Sequence, residues 1–173
     1  MTLSTGGEAD ESRMLLGSLQ NMRDAVLSIV EGLSEEAWHT SVVPSGWTPA
    51  GLVEHLGRAE RHWFQLVATG SAEELEWDAG RPPYVRPAVF VCDRPSADIV
   101  AFYRDQCRRS DEVLATISLS SAPRGRHPNP ELAKRVTNVR WIVLHMIEET
   151  AAHSGHLEIA RELLDGRTGL GGH

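Results

Sequence analysis

The stretch Trp141-Ile-Val-Leu-His-Met-Ile-Glu-Glu-Thr-Ala-Ala-His-Ser-Gly-His-Leu-Glu-Ile-Ala-Arg-Glu-Leu-Leu164 decides the fold. At about 100° per residue, its apolar side chains form one stripe along a helix, as in a helix that faces a bundle core; these are Ile142, Met146, Leu157, Ala160 and Leu164. Glu149 and His153 fall on the same stripe, one turn apart. An ionised carboxylate in an apolar layer is costly unless it is paired or bound to a metal. The stretch therefore predicts a long core helix with a positive partner for Glu149.

Two simpler interpretations of this pair remain open. A buried Glu149 and His153 can satisfy each other by hydrogen bonding. Exposure of the stripe would also remove the cost, but it would leave a large apolar patch in water. We therefore interpret the pair as part of a buried site, and a third ligand from another helix would support a metal.

Three more amphipathic helices precede this one, because apolar residues recur three and four positions apart. They are predicted over Met14 to Leu33, from Thr48-Pro49 to about Ala68, and from Ser96 to Ile117. A hydroxyl followed by proline is a typical helix start, which favours Thr48 as the N-cap, and Ser96 is expected to cap the third helix. Ser34 is expected to cap a short turn through Trp38.

Two long irregular connections, Ser71 to Pro95 and Ser118 to Pro130, separate these helices. Connections of this length are too long for helical hairpins, so we predict an all-α four-helix bundle with at least one crossover. Val85 to Cys92 resembles a short extended piece, although Pro87 argues against a strand. The last helix is expected to begin between Glu131 and Asn138 and to end near Asp165-Gly166.

Composition limits the classes of partner. The chain has 173 residues with 41% hydrophobic and 24% charged, as expected for one globular domain over 1–173 with flexible ends at 1–10 and 167–173. Its formal net charge of -7 argues against binding to nucleic acid or to an anionic membrane surface. No apolar run is long enough to span a bilayer, and no secretory signal is visible. We expect a cytoplasmic protein in which Cys92 and Cys107 are free thiols.

His55, on the second helix, is the predicted third ligand beside Glu149 and His153. Two imidazoles and one carboxylate leave open positions for water or substrate, as in catalytic rather than structural metal sites. Zinc, nickel and iron all accept this donor set, so the residues do not select one metal.

Other residues near these positions have two interpretations. His145 and His156 flank the stripe, where they are placed to support a ligand or contact substrate, or to be helix histidines without a role. Trp47 is placed either to line the mouth of the site or to pack at the start of the second helix. The remaining histidines are assigned no role: His39, His62, His127 and His173.

The segments from Ser45 to Phe64 and from His145 to His156 resemble the second-helix and fourth-helix signatures of the DinB-like superfamily. This superfamily consists of metal-binding four-helix bundles and includes mycothiol-dependent maleylpyruvate isomerase. Many members bind their metal with three histidines, whereas the His55, Glu149 and His153 set resembles the maleylpyruvate isomerase branch. His156 stands where many relatives carry glutamine. The closest resemblance is to an uncharacterised branch.

The resemblance implies a divalent metal ion, mycothiol as co-substrate and a small-molecule substrate. The working hypothesis is a metal-dependent S-transferase or isomerase that uses a low-molecular-weight thiol. One alternative is a metal-dependent hydrolase, in which water replaces the thiol. The other is a non-catalytic metal-binding or scaffold bundle. Whatever its function, a bundle of this size with exposed apolar edges is also a candidate homodimer.

Overall fold

The computed structural model describes residues 5–78 and 89–169, and within these ranges every regular element is helical. The long helices are α1 (Thr5–Val30), α3 (Pro49–Glu60, continued by a π-helix over Arg61–Ala68), α4 (Ser96–Leu114) and α6 (Val139–Asp165). The short ones are α2 (Glu35–His39), α5 (Pro130–Arg135) and a 3₁₀ turn (Glu76–Asp78). The predicted all-α bundle is confirmed. His173, the first half (85–88) of the segment Val85 to Cys92, and parts of both predicted flexible ends lie outside the described residues.

The bundle is held together mainly by α1 packing on α6 and α3 packing on α4, with α3 also contacting α6. One core cluster is built around Trp63, Phe64 and Met146, and another around Leu52, Tyr103 and Leu157. Helix α6 contributes to both clusters, so a residue between Met146 and Leu157 lies where the two meet. None of the described helices combines the length and hydropathy needed to cross a membrane.

Local sequence signals set several helix ends as predicted. The Thr48 hydroxyl accepts the Gly51 N–H at 3.1 Å and Pro49 occupies the first turn of α3. The Asn138 side chain likewise accepts the Trp141 N–H at 3.0 Å to begin α6. Gly166 ends α6 in the left-handed conformation, with φ of 77°.

Helix α1 begins at Thr5, earlier than the predicted Met14, and ends at Val30 rather than Leu33. Apolar periodicity does not reach the added turns, where the side chains described are largely exposed and are held by polar contacts instead. Glu11 forms a two-point ion pair with Arg140 at 2.8 and 2.9 Å. The helix stops early because Gly32 has a positive φ of 72°.

The second half of the predicted second helix is a π-helix, which changes its buried face. Five-residue spacing rotates later side chains relative to an α-helix. Phe64 and Val67 are therefore fully buried, while Leu66, which a continuous α-helix would place on the same face as the buried Trp63, is only half-buried. Two backbone N–H groups of the following connection satisfy carbonyls at the end of this helix: Arg124 donates to Ala68 and Gly125 to Val67 at 3.0 and 2.9 Å.

The third helix differs from the expectation at both of its ends, and an additional short helix precedes the last one. Ser96 does not cap α4, because Pro95 holds the N-cap position and the Ser96 N–H donates to Glu35 Oε1 at 2.9 Å. The helix ends at Leu114, so Ile117 lies beyond it. The chain also forms the separate helix α5 before α6, which Asn129 caps through its side chain.

Candidate metal centre

The three predicted ligands lie together between α3 and α6. His55 Nε2 is 2.9 Å from Glu149 Oε1, and His153 Nε2 is 3.3 Å from the same oxygen. One donor atom from each residue falls within 4.8 Å of the others, and no other group of three or more such residues meets this condition over 5–78 and 89–169. The sequence pattern thus located a spatial cluster that joins two helices.

The spacing of the donor atoms suits a metal ion. Two neighbouring ligands bonded at about 2.0–2.1 Å to one ion in octahedral or tetrahedral geometry lie about 2.8–3.4 Å apart. The distances from Glu149 Oε1 to the two histidine nitrogens, 2.9 and 3.3 Å, lie within that range. Two imidazoles and a carboxylate are also a donor set that divalent transition ions accept. The residues present therefore fit the divalent metal ion that the sequence implied.

The cluster lies at the edge of the core rather than deep within it. The side chains of His55 and His153 are 8% and 11% exposed, whereas Glu149 is 30% exposed. Hydrogen bonds from His153 and His55 stabilise the carboxylate and lower the pKa of Glu149 well below its usual range. Glu149 is therefore anionic at neutral pH, on a side of the cluster that solvent reaches.

His156 continues the cluster toward solvent. Its Nδ1 is 3.3 Å from His153 Nδ1, on the opposite edge of the His153 ring from Glu149. The Trp47 ring lies 6.1 Å from the His156 ring and packs against the core cluster around Leu52. Trp47 thus contacts both the start of α3 and the exposed side of the cluster, so the two interpretations of this residue are compatible.

Sequence reasoning missed Phe90. Its ring stacks on His55 with centroids 4.3 Å apart and lies 5.9 Å from the ring of His153. Phe90 lies in an irregular connection, where no periodicity identifies a packed residue. The available signal was Gly51, because a glycine within a helix often marks a close approach of another backbone. The carbonyl of Phe90 lies directly against it.

His145 lies in a separate cluster of aromatic rings one turn away. It stacks on Trp141 at 5.1 Å and meets Trp63 edge-on at 4.6 Å. His62 and His127, for which no role was predicted, surround the same Trp63 ring. Burial lowers the pKa of all three histidines. Burial thus favours the neutral form of these histidines, and His145 packs against Trp63 and Trp141 in this cluster.

The sequence profile of the mycothiol S-transferase family matches residues 14–166, which is most of the chain. The chain belongs to this family, a DinB-like family.

A solved structure of a conserved protein from Enterococcus faecalis is similar with a TM-score of 0.61 at 13% identity, covering 90% of this chain and 98% of that chain. At that identity the likeness supports the fold alone. No curated protein matches the chain in a sequence search.

Proposed function

We propose that the protein is a metal-dependent S-transferase that joins a low-molecular-weight thiol of the mycothiol type to a small electrophile. The single observation that carries the proposal is the cluster of His55, Glu149 and His153, whose donor atoms lie within 4.8 Å of one another and leave one side facing solvent. Membership of the mycothiol S-transferase family supplies the thiol as the expected co-substrate.

His55, Glu149 and His153 would hold a divalent ion such as zinc, nickel or iron. Bound there, the ion would lower the pKa of a thiol, so that the thiolate is available as a nucleophile at neutral pH. In the transfer, the thiol releases its proton to water and sulfur bonds to the electrophilic carbon. The displaced electron pair departs with the leaving group or, for an epoxide or unsaturated ketone, stays on the product and is protonated by water. Since Glu149 is anionic, it offsets one of the two positive charges of the ion.

His156 supports this arrangement through the His153 ring. When Nε2 of His153 acts as a ligand, the proton of the neutral imidazole must reside on Nδ1. Nδ1 then donates to His156 Nδ1, 3.3 Å away. This hydrogen bond fixes both the tautomer and the orientation of His153, so we assign His156 a positioning role.

The solvent-facing side of the cluster determines which substrates can reach it. Trp47, Phe90 and the exposed His156 surround it with aromatic surface and one polar edge. Such a rim suits an electrophile with an apolar or planar body beside a polar thiol. We therefore expect conjugation to be faster with aryl or unsaturated electrophiles than with small polar ones.

The test begins with metal content, measured by elemental analysis of the purified protein and of His55→Ala. Protein reconstituted with zinc, nickel or iron is then assayed with mycothiol and with other low-molecular-weight thiols. The electrophile panel should contain an aryl halide, an epoxide and an unsaturated ketone. Parallel reactions with ester and amide substrates but without thiol measure hydrolysis.

Near-stoichiometric metal in the wild type, its loss in His55→Ala, and thiol-dependent product only with metal would support the proposal. Metal-loaded protein that hydrolyses esters without thiol would favour a hydrolase instead. Metal-loaded protein without turnover on either panel would contradict an enzymatic role and favour a non-catalytic metal-binding bundle.

A further inference from the structure

We infer that Phe90 and Gly51 form a positioning device for the metal ligand His55: the backbone of the segment 89–92 rests on Gly51, and this contact presses the Phe90 ring against the imidazole. The inference rests on the metal site of the proposed function. It assigns a role to two residues that carry no ligand atom and that lie in different parts of the chain.

The first step is the contact at Gly51. A Cβ atom at this position would overlap the carbonyl of Phe90 and the amide nitrogen of Val91, both of which are backbone atoms. Only glycine therefore allows the segment to approach α3 this closely. Gly51 lies one turn before His55, so this close approach occurs on the part of α3 that leads to the ligand.

The second step is that the segment is held firmly at this place. The Thr48 N–H donates to the Phe90 carbonyl at 3.0 Å, next to the N-cap of α3. His39 Nδ1 donates to the Cys92 carbonyl at 2.9 Å, and the Cys92 side chain is 4% exposed. Two hydrogen bonds and a buried side chain thus fix the backbone on either side of Val91.

The third step links the segment to the ligand. The Phe90 ring stacks on His55 with centroids 4.3 Å apart and planes inclined by 30°. His153 meets His55 at nearly 90°, with centroids 5.1 Å apart. His55 is therefore enclosed by Phe90 on its face and His153 at its edge, which restricts rotation of the ring and keeps Nε2 directed at Glu149. A ligand that is already oriented loses less conformational freedom on metal binding.

The experiment compares zinc dissociation constants, measured by competition with a chromophoric chelator, for the full-length wild type, Phe90→Ala, Phe90→Tyr and Gly51→Ala. Val91→Ala is the matched control, because Val91 lies in the same segment with 50% of its surface exposed. Visible spectra of the cobalt(II) forms report ligand geometry independently of activity. Chemical unfolding of the metal-free proteins reports stability.

We expect Phe90→Ala and Gly51→Ala each to weaken zinc binding about tenfold or more and to change the cobalt spectrum, as losses of residues supporting a ligand do. Phe90→Tyr, which keeps the ring, and Val91→Ala should bind zinc like the wild type. Because both substitutions act through one contact, the double variant Gly51→Ala/Phe90→Ala should be little worse than the worse single variant.

Results that contradict the positioning role of Phe90 and Gly51 differ from results that contradict the metal site itself. If the wild type binds zinc and Phe90→Ala binds it equally well with the same cobalt spectrum, the inference is wrong and the metal site stands, even if the variant is less stable. Additive effects of Gly51→Ala and Phe90→Ala would show that Gly51 acts by another route and would overturn the linked device. A wild type that binds no metal after reconstitution would overturn the proposed site and this inference together.

Discussion

His55 and Glu149 are 94 positions apart in the sequence, yet His55 Nε2 lies 2.9 Å from Glu149 Oε1. The contact joins α3 to α6. His153, one turn further along α6, places its Nε2 3.3 Å from the same oxygen. A single carboxylate oxygen is therefore the meeting point of two imidazoles. This convergence makes Glu149 the residue at which the proposed metal site is most directly tested.

Glu149→Gln should abolish tight metal binding. The amide keeps the shape of the side chain but removes the negative charge and offers a weaker ligand oxygen, so we expect a loss of affinity beyond about 100-fold, the upper end for residues that only support a ligand. Chelator competition and elemental analysis measure it. Glu148→Gln is the matched control, because Glu148 is the exposed neighbour on the same helix. Unchanged affinity in Glu149→Gln would place the ion elsewhere.

Part of this site could be predicted because its signals are local. The spacing of Glu149 and His153 within an apolar stripe identifies a site on one helix without any knowledge of the fold. The start of α3 was predicted equally well, since the Thr48 cap and Pro49 act within a single turn. Such features depend on residues a few positions apart, which a sequence displays directly.

Other features depend on distant contacts and could not be predicted. The stacking of Phe90 on His55 requires an irregular segment to lie on Gly51. The π-helix changes which side chains of the second helix face the core, and its last carbonyls accept N–H groups from Arg124 and Gly125. No local propensity encodes an acceptor that is more than 50 positions away from its donor, so α-helical periodicity alone would place Leu66 wrongly on the core face.

The buried ion pair of Arg23 and Glu60 should be costly to break. The guanidinium donates to both carboxylate oxygens at 2.8 Å and to Asp111 at 2.7 Å. The side chains of Arg23 and Glu60 are only 2% and 1% exposed, so Glu60→Leu leaves a buried charge without its main partner. We expect a loss of about 3–5 kcal/mol in the free energy of unfolding, measured in urea.

Replacing both partners tests the cause of that loss. Arg23→Met/Glu60→Leu should be less destabilised than Glu60→Leu alone, because no uncompensated charge remains in the core. Arg13→Ala is the surface control: its pair with Asp10 is 78% and 64% exposed and should contribute less than about 1 kcal/mol. A double variant that is no more stable than Glu60→Leu would show that packing, not charge, dominates.

Acid should destabilise the protein through His62. Burial, followed by the nearby His127 and His145, lowers the pKa of His62 from 6.5 to about 3. Above pH 6.5 this histidine is neutral in both the folded and the unfolded state, so it does not make the free energy of unfolding depend on pH. Between pH 6.5 and 3 only the unfolded state takes up its proton, so His62 makes stability fall by about 1.4 kcal/mol per pH unit.

Comparison with His62→Leu isolates this contribution. Urea unfolding of both metal-free proteins should give parallel pH curves above pH 6.5, whatever their absolute stabilities, and a shallower decline for the variant below it. The stability of the variant should still fall somewhat with falling pH because of His127 and His145, since burial lowers the pKa of each. Identical slopes for the two proteins would mean that His62 is accessible to protons in the folded state.

Two glycine-to-alanine substitutions should change the stability of the protein in opposite directions. At Gly125 a Cβ would overlap the carbonyl oxygen of Leu66, and the Gly125 N–H bond to Val67 holds the connection against the π-helix. Gly125→Ala should therefore cost about 1–3 kcal/mol, as overpacking typically does. At Gly17, in the interior of α1, no atom lies within 4 Å of the added Cβ. Gly17→Ala should stabilise the protein by about 0.5–1 kcal/mol, because alanine loses less backbone freedom in a helix.

Urea unfolding of the two variants beside the wild type measures both effects. Hydrogen exchange at the Arg124 and Gly125 amides adds a local readout, since Gly125→Ala should weaken protection of the Arg124 amide that donates to Ala68 at 3.0 Å. A neutral Gly125→Ala would mean that the connection moves aside without cost. A destabilising Gly17→Ala would mean that this face of α1 is covered in solution, because nothing within the described chain opposes a methyl group there.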